Sequence, residues 1–185
     1  MTLREQLILA AIDIIQKDGM GGFTIRRVAA ECGVSCAAPY KHFRDKEDML
    51  LAALDYVNEK WYEQQSVVIE ENAGDVSRQL VAVSMAYIRF LAENPHFRAL
   101  MWLRGDNMTP EQMKERAEMS SYSKELVSKW CIKSGYSLEQ SVRKTYAVRS
   151  FIYGATVMFD TGELQYSKEN LAMVEKCIRR EFELD

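Results

Sequence analysis

The sequence predicts an all-α fold of about nine helices, and three observations carry that prediction. Only nine Gly and three Pro punctuate 185 residues, and no β-branched alternating run with a hairpin signal occurs. Helix-capping signatures recur along the chain. Between them, apolar residues return at i, i+3, i+4 and i+7. At 48% hydrophobic and 28% charged residues, the chain can bury a core, which excludes a disordered polypeptide. The length fits one sizeable domain, or a small domain continuous with a larger one.

The first helix opens at a capping box of Thr2 and Glu5 and runs to about Asp18. Leu7, Ala11, Ile14 and Ile15 form its inner stripe, widened by Ile8 and Ile12, and the glycines from Gly19 to Gly22 end it. Residues 24–50, TIRRVAAECGVSCAAPYKHFRDKEDML, then read as two short helices, a tight turn between them, and the start of a longer helix. Thr24 is an N-cap, and Val28, Ala29 and Cys32 share one apolar face. Gly33 takes the positive φ that a C′ position asks for. Val34 is read as a buried plug, and Ser35 as the N-cap of a second helix, SCAAPYKHF. Small Ala29, four residues before the turning Gly33, lets that second helix cross closely. This is the geometry of a helix-turn-helix, whose second helix enters the DNA major groove.

A fourth helix is expected over 46–71, with Asp45 as N-cap and Glu47 and Asp48 in its first turn. Leu50, Ala53, Leu54, Val57 and Trp61 give it one buried face, and Ala73-Gly74-Asp75 breaks it. A fifth helix, about 76–93, turns Leu80, Tyr87, Ile88 and Leu91 inward. Asn94-Pro95 restarts the chain as a short sixth helix ending by Gly105. Thr109 to Gln112 form a capping box for a long seventh, expected to reach Lys133. Ser137 with Gln140 caps an eighth, to about Asp160, and Ser167 caps a ninth.

Net charge is −3, yet residues 22–46 carry +3 and the remainder −6. A basic patch on an acidic body suits a protein that touches phosphates with one end only. The four Cys form no CxxC pair and the two His are not at ligand spacing with them, so neither metal nor cofactor is expected. Reduced thiols, no signal-peptide pattern and no apolar run near the ~20 residues of a membrane span point to a cytoplasmic protein without a membrane partner.

The segments TIRRVAAECGVS and YKHFRDKEDML, with AENPHFRALMW over 92–102, resemble the TetR/AcrR family of transcriptional regulators. The resemblance is specific over about the first 55 residues and looser beyond. It implies a helix-turn-helix DNA-binding domain, 1–46, and a ligand-binding and dimerisation domain, 47–185, whose first helix, 46–71, connects the two. It also implies a homodimer with two DNA-binding heads, and a small molecule that lowers operator affinity by changing their spacing. Two departures stand out. Pro39 occupies a position where many members carry Leu or Val; at about the fourth helical position it removes only one intrahelical bond, so the helix is expected to survive. Tyr153-Gly154 replaces a His-Gly pair of one branch, so that branch's ligand chemistry does not transfer.

On this reading Tyr40, His42 and Lys46 match family positions that hold phosphates. Thr24 and Arg26 would clamp the backbone from the other side, with Ser35 opening the reading helix. Base contact falls to Cys36, Ala37, Ala38 and Lys41, of which Lys41, able to donate to guanine O6/N7, is the specific reader. Cys36, in the first turn of that helix, is a candidate for oxidation sensing against the commoner reading as an inert thiol. Candidates for an effector cavity, suited to an apolar or aromatic molecule, are Met85, Phe90, Met101, Trp102, Met119, Tyr122, Trp130, Tyr146 and Phe151. Candidates for the dimer interface are Tyr153, Gly154, Val157 and Met158 on the eighth helix and Leu171, Val174, Ile178 and Phe182 on the ninth. No catalytic constellation occurs, so an enzyme is not expected. The expected function is a ligand-released repressor of a pseudo-palindromic operator. The alternatives are a TetR-like protein-interaction antagonist that no longer binds DNA, and a carrier or enzyme using the same cavity.

Overall fold

The computed structural model describes residues 1–101, 103 and 108–182. Trp102 and the expected helix stop at Gly105 lie outside them. Among the described residues there are nine α-helices and no strand: α1 (Leu3–Gly22), α2 (Ile25–Glu31), α3 (Lys46–Glu71), α4 (Val76–Glu93), α5 (Pro95–Met101), α6 (Pro110–Glu118), α7 (Ser121–Lys133), α8 (Leu138–Thr161) and α9 (Lys168–Glu181). None is long and apolar enough to cross a membrane. The capping boxes of α1, α6 and α8 form as read, Thr2 with Glu5, Thr109 with Gln112 and Ser137 with Gln140.

The helix count matches the expectation, but two elements differ from it. The segment after Ser35 is not an α-helix. Residues 36–38 are turn and bend, followed by a 3-10 turn at Pro39–Lys41. Pro39 has no N–H to offer the Ser35 carbonyl, which instead accepts from Ala38 N at 2.9 Å. The i→i+3 pattern continues with Lys41 N to Ala38 O (3.2 Å) and His42 N to Pro39 O (2.9 Å). The expectation that the helix survives Pro39 is therefore corrected. The long seventh helix is likewise two, α6 and α7, because Ser120 leaves helical space (φ −102°, ψ 1°). No Gly or Pro announces the break.

The chain forms two compact units, residues 1–60 with 94–119, and residues 61–93 with 120–185. In the first, α1 packs against α2 and α5 around Leu7, Ile12, Val28, Phe43, Leu54 and Leu100. In the second, α4 packs against α7, α8 and α9. Its core centres on Trp61, whose ring lies 4.9 Å from Tyr87 and 5.4 Å from Phe90. Lys144, 7% exposed, ties α8 to the end of α9. It donates to the Glu181 carbonyl and lies over Tyr136 at 4.9 Å and Trp130 at 5.5 Å.

Candidate nucleic-acid interface and regulatory cavity

The helix-turn-helix is built on one well-formed turn. Thr24 Oγ1 accepts from Arg27 N at 3.2 Å and caps α2. At the other end Gly33 N reaches Ala30 O (3.1 Å) and Val34 N reaches Ala29 O (3.0 Å), a Schellman closure that requires the positive φ of Gly33, +67°. Val34 is half-buried rather than buried. Cys32 Sγ donates to Gln6 O at 3.6 Å and fastens α2 to α1. Burial, with Glu31 adding to it, pushes this thiol up and keeps it protonated. Phe43, 3% exposed, lies under the Arg4 guanidinium at 5.5 Å and anchors the far end of the 3-10 turn.

The candidate DNA residues are exposed: Thr24, Arg26, Ser35, Cys36, Ala37, Tyr40, Lys41 and His42, with Ala38 half-exposed. The basic side chains divide. Arg27 is held by Asp18, over a Gly22 where an added Cβ would stand 2.5 Å from Asp18 Cβ. Arg44 is held by Asp48, which accepts from its Nη2 at 2.8 Å and its backbone N at 2.9 Å; these bonds keep the Asp48 carboxyl below its usual range. Lys46 is half-buried, donates to Met20 O at 3.3 Å and lies 5.2 Å over Phe23, so it closes the end of α1 as well as standing near α3's start. Arg26 and Lys41 have no ion-pair partner among the described residues. Cys36 is exposed but sits in a turn, which removes the helix-dipole premise for its reactivity.

The comparisons with known proteins follow this division of the chain. The family pattern described as "Bacterial regulatory proteins, tetR family" matches residues 7–53, from the core of α1 to the first turns of α3. Over those residues the chain is similar to the TetR family.

A Bacillus subtilis protein, the uncharacterized HTH-type transcriptional regulator YerO, is 29% identical over 108 residues. That match takes in 58% of this chain and only 37% of the relative, so the chain spans little more than a third of that protein's length. The nucleoid occlusion factor SlmA of Marinobacter nauticus is 27% identical over 88% of this chain and 82% of its own. In fold, a TetR family transcription regulator from Marinobacter aquaeolei superposes with a TM-score of 0.80 at 16% identity, over 96% of this chain and 94% of that one.

The second unit holds a narrow cavity of about 30 Å³. Its apolar walls are Leu80, Val127, Val148 and Ile152. Ser84, Tyr87, Ser120, Ser123 and Thr145 supply hydroxyls, and Lys124, Arg149 and Tyr153 complete it. A groove of about 560 Å³ shares Lys124, Thr145, Arg149 and Tyr153 with it. Of the effector candidates, Tyr146 lines the groove and is 74% exposed. Met85, Phe90, Met101, Met119 and Trp130 are buried core, Tyr122 and Phe151 are half-buried away from the cavity walls, and Trp102 lies outside the described residues. Most of these apolar candidates are thus core. Thr145, Arg149 and Tyr153 recur every four residues on α8, which places them on one face of that helix.

The dimer candidates divide as well. Val157 and Met158 are exposed, at 41% and 40%, and Tyr153, Gly154 and Leu171 are half-buried. Val174, Ile178 and Phe182 are buried inside the protomer, Phe182 edge-on to Trp130 at 4.9 Å. Their 3.6-residue spacing marks the face with which α9 meets its own unit, so these three are corrected from interface to core.

Proposed function

We propose that this chain is a TetR-family regulator that binds a pseudo-palindromic operator as a homodimer and represses transcription until a small molecule occupies the second unit. The observation that carries the reading is the exposed helix-turn-helix face, where Arg26 and Lys41 keep cations that no acid among the described residues neutralises. Cations free of internal partners are what phosphate and base edges engage. Two copies would place their reading segments roughly 34–36 Å apart, and the effector would oppose the operator through about 1–3 kcal/mol of coupling. The cavity supports the ligand-responsive half of the reading. Among the described residues no activated nucleophile or acid–base pair accompanies it, and we favour regulator over enzyme.

The test is a gel-shift of the full chain against duplexes recovered from a random pool. A shifted complex with two proteins per duplex, lost steeply as salt rises, is the expected result. Binding that is absent or independent of salt would turn the assignment to the second reading, a protein-interaction antagonist. That reading draws on the chemically thin Cys36-Ala37-Ala38 segment and on the similarity to a protein named for nucleoid occlusion.

A further inference from the structure

The walls and the mouth of the cavity differ in chemistry. Leu80, Val127, Val148 and Ile152 are each no more than 5% exposed and offer only apolar surface. Lys124 and Arg149 stand at the mouth shared with the groove. Neither has an ion-pair partner among the described residues. Other cations on the same two helices do: Lys129 pairs with Glu125 and Lys144 with Glu181. Arg149 lies 5.7 Å over the Tyr153 ring, which positions it without neutralising it.

Tyr87 adds a second, independent mark. It is 5% exposed and lines the cavity, and its hydroxyl makes no hydrogen bond among the described residues. The ring is buried while the hydroxyl is left available to a molecule in the cavity. Burial pushes this phenol well above its ordinary range, Tyr153 adding to the effect and Arg149 opposing it. It therefore remains a proton donor facing the neighbourhood of Arg149.

We propose that the effector is an amphipathic monocarboxylate with a slim, unbranched apolar tail. Its carboxylate sits between Lys124 and Arg149 and accepts from the Tyr87 hydroxyl, and its tail lies along Leu80, Val127, Val148 and Ile152. The proposal rests on the reading of this unit as effector-binding and names the chemistry it recognises. The cavity's volume, about 30 Å³, equals about two water sites at roughly 10–15 Å³ each. It admits a slim alkyl segment and no fused ring system, and the rest of the ligand with its carboxylate lies toward the groove that Lys124 and Arg149 also line. A neutral molecule of the same length leaves both cations and the phenol unanswered, and sites built to pair polar groups discriminate strongly against such analogues.

The experiment is calorimetric titration of the full chain, without DNA, with sodium octanoate and with 1-octanol. Octanoate is expected to bind at least about tenfold more tightly than octanol. Arg149→Gln and Lys124→Gln are each expected to weaken octanoate by about tenfold while leaving octanol unchanged, and Tyr87→Phe to weaken octanoate by a smaller factor. Thermal melts and gel-shifts of each variant show that it remains folded. Equal affinity for the two probes, octanoate affinity indifferent to Arg149→Gln, or no octanoate binding by a protein that still shifts DNA overturns the proposal. Octanoate that binds as described but leaves DNA affinity unchanged supports the ligand assignment and contradicts the regulatory reading instead.

Discussion

Four arginine and lysine side chains of the helix-turn-helix are distinguished by what holds them. Arg27 answers to Asp18 and Arg44 to Asp48, whereas Arg26 and Lys41 answer to nothing among the described residues. Lys41→Ala is therefore expected to cost about 1–3 kcal/mol on the preferred duplex and to relax sequence preference. Arg26→Ala should weaken all duplexes alike and lower the salt slope by about 1. Binding isotherms on matched and scrambled duplexes check both; identical effects would contradict the division of roles. Lys46, expected from sequence as a phosphate ligand, also holds Met20 O and Phe23, so its removal should loosen the end of α1 and not report on DNA alone. A pH effect also belongs here. Burial lowers His96 below its ordinary value, with Asp13 opposing. A depressed folded value means stability is full above the unfolded value, ~6.5, and falls as pH drops below it. Melting temperature should decline below that pH, and His96→Gln should flatten that part of the profile.

At the scale of elements, the sequence was most legible where a side chain answers a backbone group. Thr2, Thr109 and Ser137 each accept from the backbone N–H three residues on, at 3.2 Å, and these starts were readable from residue type alone. Ser137→Ala should cost about 1 kcal/mol, measurable by denaturant titration. Gly33→Ala should cost at least about 1 kcal/mol, since φ of +67° excludes an unstrained Cβ. The reading segment was illegible for a local reason: one missing N–H at Pro39, together with the buried ring, tips 36–42 from α-helix to turn and 3-10. Pro39→Ala supplies that N–H. Helical Cα chemical shifts should then extend through 36–42, and unchanged shifts would remove the explanation. The break at Ser120 was illegible because serine is tolerated within helices as often as it ends them.

For the whole molecule, what the sequence could not show was what each apolar stripe faces. Spacing on α9 specifies a buried face, and only the fold reveals that Val174, Ile178 and Phe182 meet the same protomer. The cavity escaped for a related reason: its walls come from α4, α7 and α8, which no single periodicity connects. Of the interface candidates on α8, the exposed Val157 and Met158 carry the proposed dimer. Val157→Lys should shift sedimentation toward the monomer with little loss of stability, whereas Val174→Ala should cost about 1–3 kcal/mol in unfolding without that shift. The central claim is that two copies grip DNA through the exposed helix-turn-helix face. Its most direct test is fluorescence anisotropy of a duplex selected from a random pool, titrated with the full chain across a salt series, for the native protein and for Arg26→Ala/Lys41→Ala. The account predicts affinity on the order of 10⁻⁸–10⁻¹¹ M at physiological salt, a steep inverse dependence on salt, and a loss of more than about tenfold in the double variant. Equal affinity of the two proteins, or binding indifferent to salt, would contradict it.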